Sequence, residues 1–347
     1  QLKHFCKRHL KTVFIVMNDI CTVLLITYNH APYIRKAIDS VLKQKTQYNF
    51  IIYIFDDAST DGTTDIVKEY ANKYPNKIIP FIAQKNQGAT INIYNAYKSV
   101  KTKYCALLEC DDYWGDENKL QLQIEALEQH PECSFCACNT RLINEGDKLR
   151  KHENGTLLVI NKEVRRNRII SKELLSNVPF GYMNHIGSRL VRTTSIDIDS
   201  LKYKDSFLYD NCQFYYLLLQ GDLYYVDKVM HYYVQTGKGT FTSSSLLKRM
   251  HNHMKNLLNF NEDTNFVISD LVFKDMKNFL NYYAEVPKLI LKNDNKIIDT
   301  RNKLQIFIAN FQKLKRYILP RFLIDIIDIP FNLIKYIRKE IKKKGEN

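Results

Sequence analysis

The sequence has little that would span a membrane or staple a fold covalently. No run of 18 uncharged apolar residues occurs among its 347 positions, so a spanning helix is not expected. "KTVFIVMND" resembles a signal peptide only faintly, because its apolar part is short and ends at Asn18 and Asp19. A C-x-x-C is present in "CSFCAC", but no second pair and no spaced histidines accompany it, which argues against a structural zinc site. The eight cysteines sit mostly in apolar stretches such as "YCALLEC", the pattern of buried free thiols in a reducing cytoplasm. Glycine is scarce at 11 residues, and "TGKGT" lacks the earlier glycine of a phosphate-binding P-loop, so that class is excluded. Tryptophan occurs once, at Trp114.

What is present is ordinary in bulk. Apolar content of 45% and charged content of 25% exclude a disordered chain. The net charge of +14 is carried largely by the ends, in "KHFCKRHLK" and "IRKEIKKK". Such ends suit an anionic membrane surface or nucleic acid, and solvated tails equally well. The length predicts one domain of about two-thirds of the chain with an appended segment. Met17 stands just before the first strand pattern, so residues 1–19 are expected to be an N-terminal extension.

From residue 21 to 138 the pattern switches between short apolar runs and helix-period stretches. "CTVLLIT" reads as a buried strand, and "PYIRKAIDSVLKQ" places Ile34, Ala37, Ile38, Val41 and Leu42 on one helix face with Pro32 at its start. The unit recurs as strand "FIIYIF" and a helix with Ile66, Val67, Tyr70, Ala71 and Tyr74 inward. Strand "IIPFIA", a helix through Tyr94, Tyr97 and Val100, strand "YCALL", helix "ENKLQLQIEALEQH" and strand "SFCAC" follow. Alternation of this kind predicts an α/β fold, a mostly parallel sheet flanked by helices, with ligands bound outside the carboxyl ends of the strands. Residues 141–241 read as short strand pieces ("IGSRLV", "LYYV", "HYYV") around a helix "NCQFYYLLLQG", and residues 242–347 as a helical C-terminal region.

Two acidic clusters fall at strand ends. In "LLECDDYWGDE", Glu109, Asp111 and Asp112 crowd together in a basic chain; Asp116 and Glu117 suffice to cap the next helix. Carboxylates at this density suit a Mn²⁺ or Mg²⁺ ion bridging a diphosphate. In "IFDDASTDGT", Ser59, Thr60 or Asp61 serve as turn and cap residues, which leaves Asp56 and Asp57 free to accept hydrogen bonds from a base or a ribose.

"LLITYNHAPYIRKAIDSVLKQ", "IFDDASTDGT", "KNQGATINIYNAYKSVKTKYCALLECDDYW" and "KLQLQIEALEQHP" together resemble, in order and spacing, the nucleotide-binding half of the family 2 glycosyltransferases of the GT-A fold. Bacterial enzymes of surface-polysaccharide synthesis are the most similar. The resemblance is strong over residues 20–140 and weaker to about 241, and it implies a GT-A domain at 20–241. It implies that Thr27, Tyr28 and Asp57 contact the nucleotide base, usually uracil, and that Asn86 and Gly88 lie near the donor. Asp111 and Asp112 would hold ribose and metal, with Glu109 at the first position of the D-x-D motif. "SFLYDNCQFYYLLLQGDLYYVDKVMHYY" resembles the segment bearing the catalytic base, which falls on Asp210; a plain helix cap is the other reading of that residue. "GYMNHIGSRLVR" resembles the acceptor-facing strand, making His185 and Ser188 contact candidates, although a lone histidine is more often structural. Relatives carry an arginine and a histidine where this chain has Val234 and Thr236, so Lys238 is the expected substitute for positive charge near the diphosphate.

The resemblance therefore implies an inverting, metal-dependent transferase that uses a nucleotide-sugar donor, with UDP expected, and a glycan or lipid-linked acceptor. A degenerate domain that only binds sugar or partners is the non-enzymatic alternative. A sugar-1-phosphate nucleotidyltransferase would need glycines where the chain reads "TYNHAPY". A nucleic-acid partner leaves the acidic strand ends unexplained. In "RFLIDIIDIPFNLIKYIRKEIKKK", Asp325, Asp328, Asn332, Lys335 and Lys339 form a polar stripe on an apolar helix. A helix lying on a membrane surface and a helix packed on its own domain both look like this. The first reading places the protein in the cytoplasm, peripheral at the inner membrane face.

Overall fold

The computed structural model describes residues 19–144, 148–149, 168–171, 185–200, 206, 209–236, 246–267, 269–270 and 272. The chain divides into two compact units, residues 1–243 with 256–267, and residues 244–255 with 268–347. The C-terminal stripe, Lys238 and the N-terminal segment before Asp19 lie outside the described residues.

The first unit is built on a sheet of ten strands among the described residues. Strand β1 (Cys21–Thr27) runs parallel between β2 (Phe50–Asp56) and β4 (Tyr104–Glu109), and β3 (Ile78–Ile82) adds in parallel at the outer edge. All seven residues of β1 and of β2 are buried, which is why these strands read as continuous apolar runs rather than alternating ones. Edge strand β3 has one neighbour and exposes its last three residues.

Helices α1 (Ile34–Leu42), α2 (Thr63–Lys73), α3 (Ala89–Ser99) and α4 (Lys119–Gln129) alternate with these strands. Ile34, Ala37, Ile38 and Val41 of α1 are buried at the expected three- and four-residue steps and join one core cluster with Val23, Leu25, Ile52, Ile54 and Leu108. Burying each such side chain contributes about 1.5–3 kcal/mol. Helix α1 begins at Ile34 rather than at Pro32, because residues 31–33 form a turn. Before α4, the Asp116 carboxylate accepts from Asn118 N at 2.8 Å, whereas Glu117 pairs instead with Lys45. Neither expected residue therefore caps the helix: Asp116 closes the turn before it, and the N-cap position is Asn118, with no side-chain cap bond.

Beyond β4 the sheet becomes mixed. Strand β5 (Tyr113–Trp114) is followed by β6 (Cys133–Asn144), β7 (Lys148–Leu149), β8 (Arg168–Ile170) and β9 (Arg189–Arg192). Strand β9 lies between β4 and β6, antiparallel to both. Helix α5 (Asp210–Gln220) leads into β10 (Asp222–Gln235), which pairs in parallel with β6 and antiparallel with β5 and β8. The sequence predicts two short strands, "LYYV" and "HYYV", where the structure has this single strand of 14 residues. Register irregularities between Val226 and Val229 and between Val229 and His231 break the alternation that would have revealed its continuity. Seven cysteines, at 21, 105, 110, 133, 136, 138 and 212, are free and buried, as the apolar context predicts.

Helix α6 (Leu246–Asp263) follows. Among the described residues, no helix is long and apolar enough to cross a membrane.

Candidate active site

The site is assembled at the carboxyl ends of β1, β2 and β4, where short loops carry its polar groups. Pinning begins with the loops after β1 and β2. Asn29 and Ala58 hold left-handed backbone conformations, φ 55° and 60°. Ser59 Oγ accepts from Asn29 N, Asn29 Oδ1 from Thr60 N, and Asp61 Oδ2 from Ala31 N, all at 2.9–3.0 Å. Asp61 Oδ1 also accepts from Thr63 N at 3.0 Å, so of the three expected cap residues Asp61 does that work. Asp56 is committed to its own turn, accepting from Ser59 N and Oγ and from the Thr64 hydroxyl.

Asp57 is buried and behaves differently. Its two oxygens accept from the backbone amides of Gln87 and Gly88, each at 2.8 Å, and so clamp the "NQG" loop over the strand ends. Asn86 Oδ1 accepts from the same Gly88 N at 3.0 Å. Gly88 has φ 90°, a conformation that side-chain-bearing residues rarely adopt, which accounts for the glycine. Thr27 is buried at the end of β1, and Tyr28 is exposed at the rim beside it.

The acidic loop after β4 is only three residues long before β5 pairs with β10. Pairing of Tyr113 with Tyr232 and of Trp114 with His231 draws Asp112 against β10, where its Oδ1 accepts from Val234 N at 2.8 Å. The residue that replaces the family arginine thus still serves through its backbone. Asp112 Oδ2 faces His231 Nε2 at 3.3 Å and His185 Nε2 at 3.7 Å. The His185 ring stacks on His231 at 4.5 Å and meets Tyr233 at 4.6 Å. The single tryptophan fixes this corner, since Trp114 Nε1 donates to Gly187 O at 3.0 Å and holds the turn that bears His185.

Asp210 opens helix α5, with its carbonyl held by Arg189 Nη2 at 2.9 Å; Arg189 Nη1 also donates to Gln213 Oε1 at 2.7 Å. Charges accumulate here with little water to screen them. Burial, then the charges of Asp111 and Asp210, pushes Glu109 well above the usual carboxylate range. Burial, then Asp111 and Glu109, does the same to Asp112. Burial raises Asp210 too, opposed by Arg189 and an Ile186 backbone N–H. Tyr233 rises through burial and then through the charges of Asp112, Glu109, Asp111 and Asp210. Burial drives His185 down to about 3 and His231 well below its usual value.

The structure thus brings together Glu109, Asp111, Asp112, Asp210 and His185, with Thr27, Tyr28, Asp57, Asn86 and Gly88 at the adjoining strand ends. Ser188 does not join them. It is buried, and its hydroxyl donates to His185 O at 2.7 Å, so it holds the turn. Sequence reasoning missed His231, Tyr233 and Arg189. A signal existed for two of them: His231 and Arg189 are polar residues in runs otherwise patterned for burial ("VMHYY" and "GSRLV").

Carboxylates gathered at these strand ends are chemically suited to a divalent cation, because they supply hard oxygen donors; Asp112 is the buried one among them. Asp112 Oδ2 has no hydrogen-bond partner although it is buried.

Residues 22–189 match the family model described as glycosyl transferase family 2. The chain carries a family 2 glycosyltransferase domain. An uncharacterised protein of Mycobacterium tuberculosis is 40% identical over 124 residues, 36% of this chain and 36% of that protein. TuaG of Bacillus subtilis, named for teichuronic acid biosynthesis, is 34% identical over 116 residues, 33% of this chain and 44% of TuaG. The matched segment is thus less than half of the length of these relatives. Among solved structures, residues 1–349 of S. aureus TarS in complex with UDP-GlcNAc superpose with TM-score 0.59 at 18% identity, covering 83% of this chain and 80% of that one. A mannosyltransferase of Pyrobaculum calidifontis in complex with GDP-Man and Mn²⁺ gives 0.51 at 13% identity, covering 94% and 88%. The fold of this family 2 domain is GT-A.

Proposed function

We propose that this chain is an inverting, metal-dependent glycosyltransferase. It would move a sugar from a nucleotide-diphosphate donor, a UDP-sugar, to a hydroxyl of a glycan or lipid-linked acceptor in cell-surface polysaccharide synthesis. One observation carries the reading: four carboxylates, Glu109, Asp111, Asp112 and Asp210, converge at the carboxyl ends of the strands with one buried oxygen left unpartnered. The names of TuaG and of the complexes with UDP-GlcNAc and GDP-Man support the surface-polysaccharide and nucleotide-sugar parts of it.

In this reading the rim formed by Thr27, Tyr28 and the loop clamped by Asp57 receives the nucleotide, with Asn86 and Gly88 beside the donor. Asp112, assisted by Asp111 and Glu109, would hold Mn²⁺ or Mg²⁺. Such an ion, when bound, supplies the positive charge that stabilises a departing diphosphate. Asp210 accepts the acceptor's hydroxyl proton as that oxygen attacks the sugar from the face opposite the leaving group, so the anomeric configuration inverts. Arg189 and the Ile186 amide oppose the upward push of burial on Asp210, and Arg189 also holds its carbonyl at the helix start. Lys238, expected near the diphosphate, lies outside the described residues.

The domain boundaries we propose are a GT-A domain at 20–241 and a helical C-terminal region at 242–347 whose basic end lies on the inner membrane face. Calorimetric titration of UDP into the full chain, with and without Mn²⁺, tests the function. Metal-dependent binding that disappears in Asp112→Ala is expected. Absence of binding by UDP, GDP, CMP and dTDP in both conditions would overturn the enzymatic reading.

A further inference from the structure

We propose that Asp112, His185 and His231 form a mixed oxygen and nitrogen site for a divalent transition metal, so that the cation of the donor site is held partly by imidazole. The proposal rests on the donor-site reading above and specifies what kind of ion the site is built to hold.

The three residues come from separate parts of the fold, the loop after β4, the turn before β9 and the middle of β10, yet one donor atom from each lies within 4.8 Å of the others. The distances of 3.3 and 3.7 Å from Asp112 Oδ2 to the two Nε2 atoms are close to the spacing of ligands around one small ion. Donors about 2.0–2.2 Å from a tetrahedral ion stand roughly 3.4 Å apart.

Hydrogen bonding gives an independent reason. Asp112 Oδ2 and His231 Nε2 are both buried and both without a hydrogen-bond partner, although they face each other. Their other atoms are engaged, Asp112 Oδ1 by Val234 N and His231 Nδ1 by Thr140 Oγ1 at 3.2 Å. In the tautomer that donates Nδ1–H to Thr140, the Nε2 lone pair faces a carboxylate oxygen. Two buried electron pairs facing each other in that tautomer repel, and a cation between them relieves the repulsion. An outer partner of this kind is what orients metal-bound imidazoles.

The packing keeps this face of the imidazole clear. A Cβ added at Gly187 would stand 2.3 Å from His231 Nε2, so any side chain there would fill the space at the nitrogen. His185 is the conditional member of the set: its Nδ1 accepts from Gly187 N at 3.3 Å, which places the proton of the neutral ring on Nε2, so it ligates through Nε2 only if that long contact is given up. Carboxylate alone suits Mg²⁺, whereas two imidazoles shift preference to Mn²⁺, Co²⁺ or Zn²⁺.

The decisive experiment is pulsed electron paramagnetic resonance on the full chain loaded with Mn²⁺ and UDP, which detects ¹⁴N coupled to the ion without any substitution. Imidazole nitrogen coupling is expected in the wild type and its loss in His231→Gln. Calorimetry should show Mn²⁺ and Zn²⁺ affinity falling at least about tenfold in His231→Gln, the least that ligand-shell changes usually cost, and by less in His185→Gln. Circular dichroism melting of both variants controls for folding. Mn²⁺ bound with UDP but showing no nitrogen coupling would overturn the mixed site and leave the donor site standing. Absence of metal binding with UDP present would overturn both.

Discussion

At the scale of single residues, a polar group kept from water marks Thr27, Asp57, Asp112 and His231, whereas Tyr28 lies exposed at the rim. Burial pushes Asp210 up while Arg189 and the Ile186 amide oppose that push, and we assign this acid the proton-accepting role. Asp210→Asn should keep the fold, since the carbonyl contact with Arg189 belongs to the backbone, and should lower transfer about 10²–10⁴-fold, the usual worth of a general base. Single-turnover rates with unchanged UDP affinity would verify this. Gly187 offers a test of packing rather than chemistry. Gly187→Ala drives a methyl into the His231 ring and should cost about 1–3 kcal/mol by overpacking, read as a lowered denaturation midpoint together with weaker metal binding. Away from the site, burial pushes Lys77 down to about 8 against the opposing charges of Asp19 and Cys21. Between pH 8 and the unfolded value near 10.5, the unfolded chain holds this proton and the folded chain does not, so the Lys77 contribution to stability grows as pH rises and is lost as pH falls through about 8. The gap in urea midpoint between wild type and Lys77→Met should accordingly shift in favour of the wild type from pH 8 to 10.

At the scale of elements, most of what the sequence shows is strand and helix identity. Strands β1, β2, β4 and β6 and helices α1 to α5 lie where apolar periodicity puts them, because each buries one face or both and that demand is written locally. The acids at strand ends were legible for the same reason: a β-strand that stops at charged residues leaves them at the mouth of a parallel sheet. Partnerships were not legible. Asp57 has the composition of a ligand contact, and in the fold its carboxylate holds two amides of a loop some thirty positions along the chain. Asp57→Ala should remove the partner of the Gln87 amide and leave Gly88 N with Asn86 Oδ1 alone, at about 0.5–1.5 kcal/mol per hydrogen bond lost, and loosen the loop. Amide exchange at Gln87 and Gly88 should quicken and UDP affinity should fall, with little change in the β1–β2 core.

At the scale of the whole molecule, a sheet that is parallel in its first half and mixed in its second sets the acidic loop after β4 against His231 of β10 and His185 of the turn before β9. The basic C-terminal stripe adds a further expectation. Removing residues 321–347 should reduce partitioning to vesicles rich in anionic lipid, measured by sedimentation at low and physiological salt; unchanged partitioning would dispose of a membrane role. The sequence by itself determined the α/β alternation, the burial of the cysteines, the acids at the ends of β2 and β4 and the position of Asp210 at a helix start, since periodicity, caps and turn chemistry act over a few residues. Only the tertiary structure decided that two short strand patterns form one β10, that Ser188 is a turn residue, that Val234 serves through its backbone and that His231 faces Asp112. Each of those depends on the register of strands distant in the chain, and a register set by the packing of the whole sheet is not encoded in any local pattern.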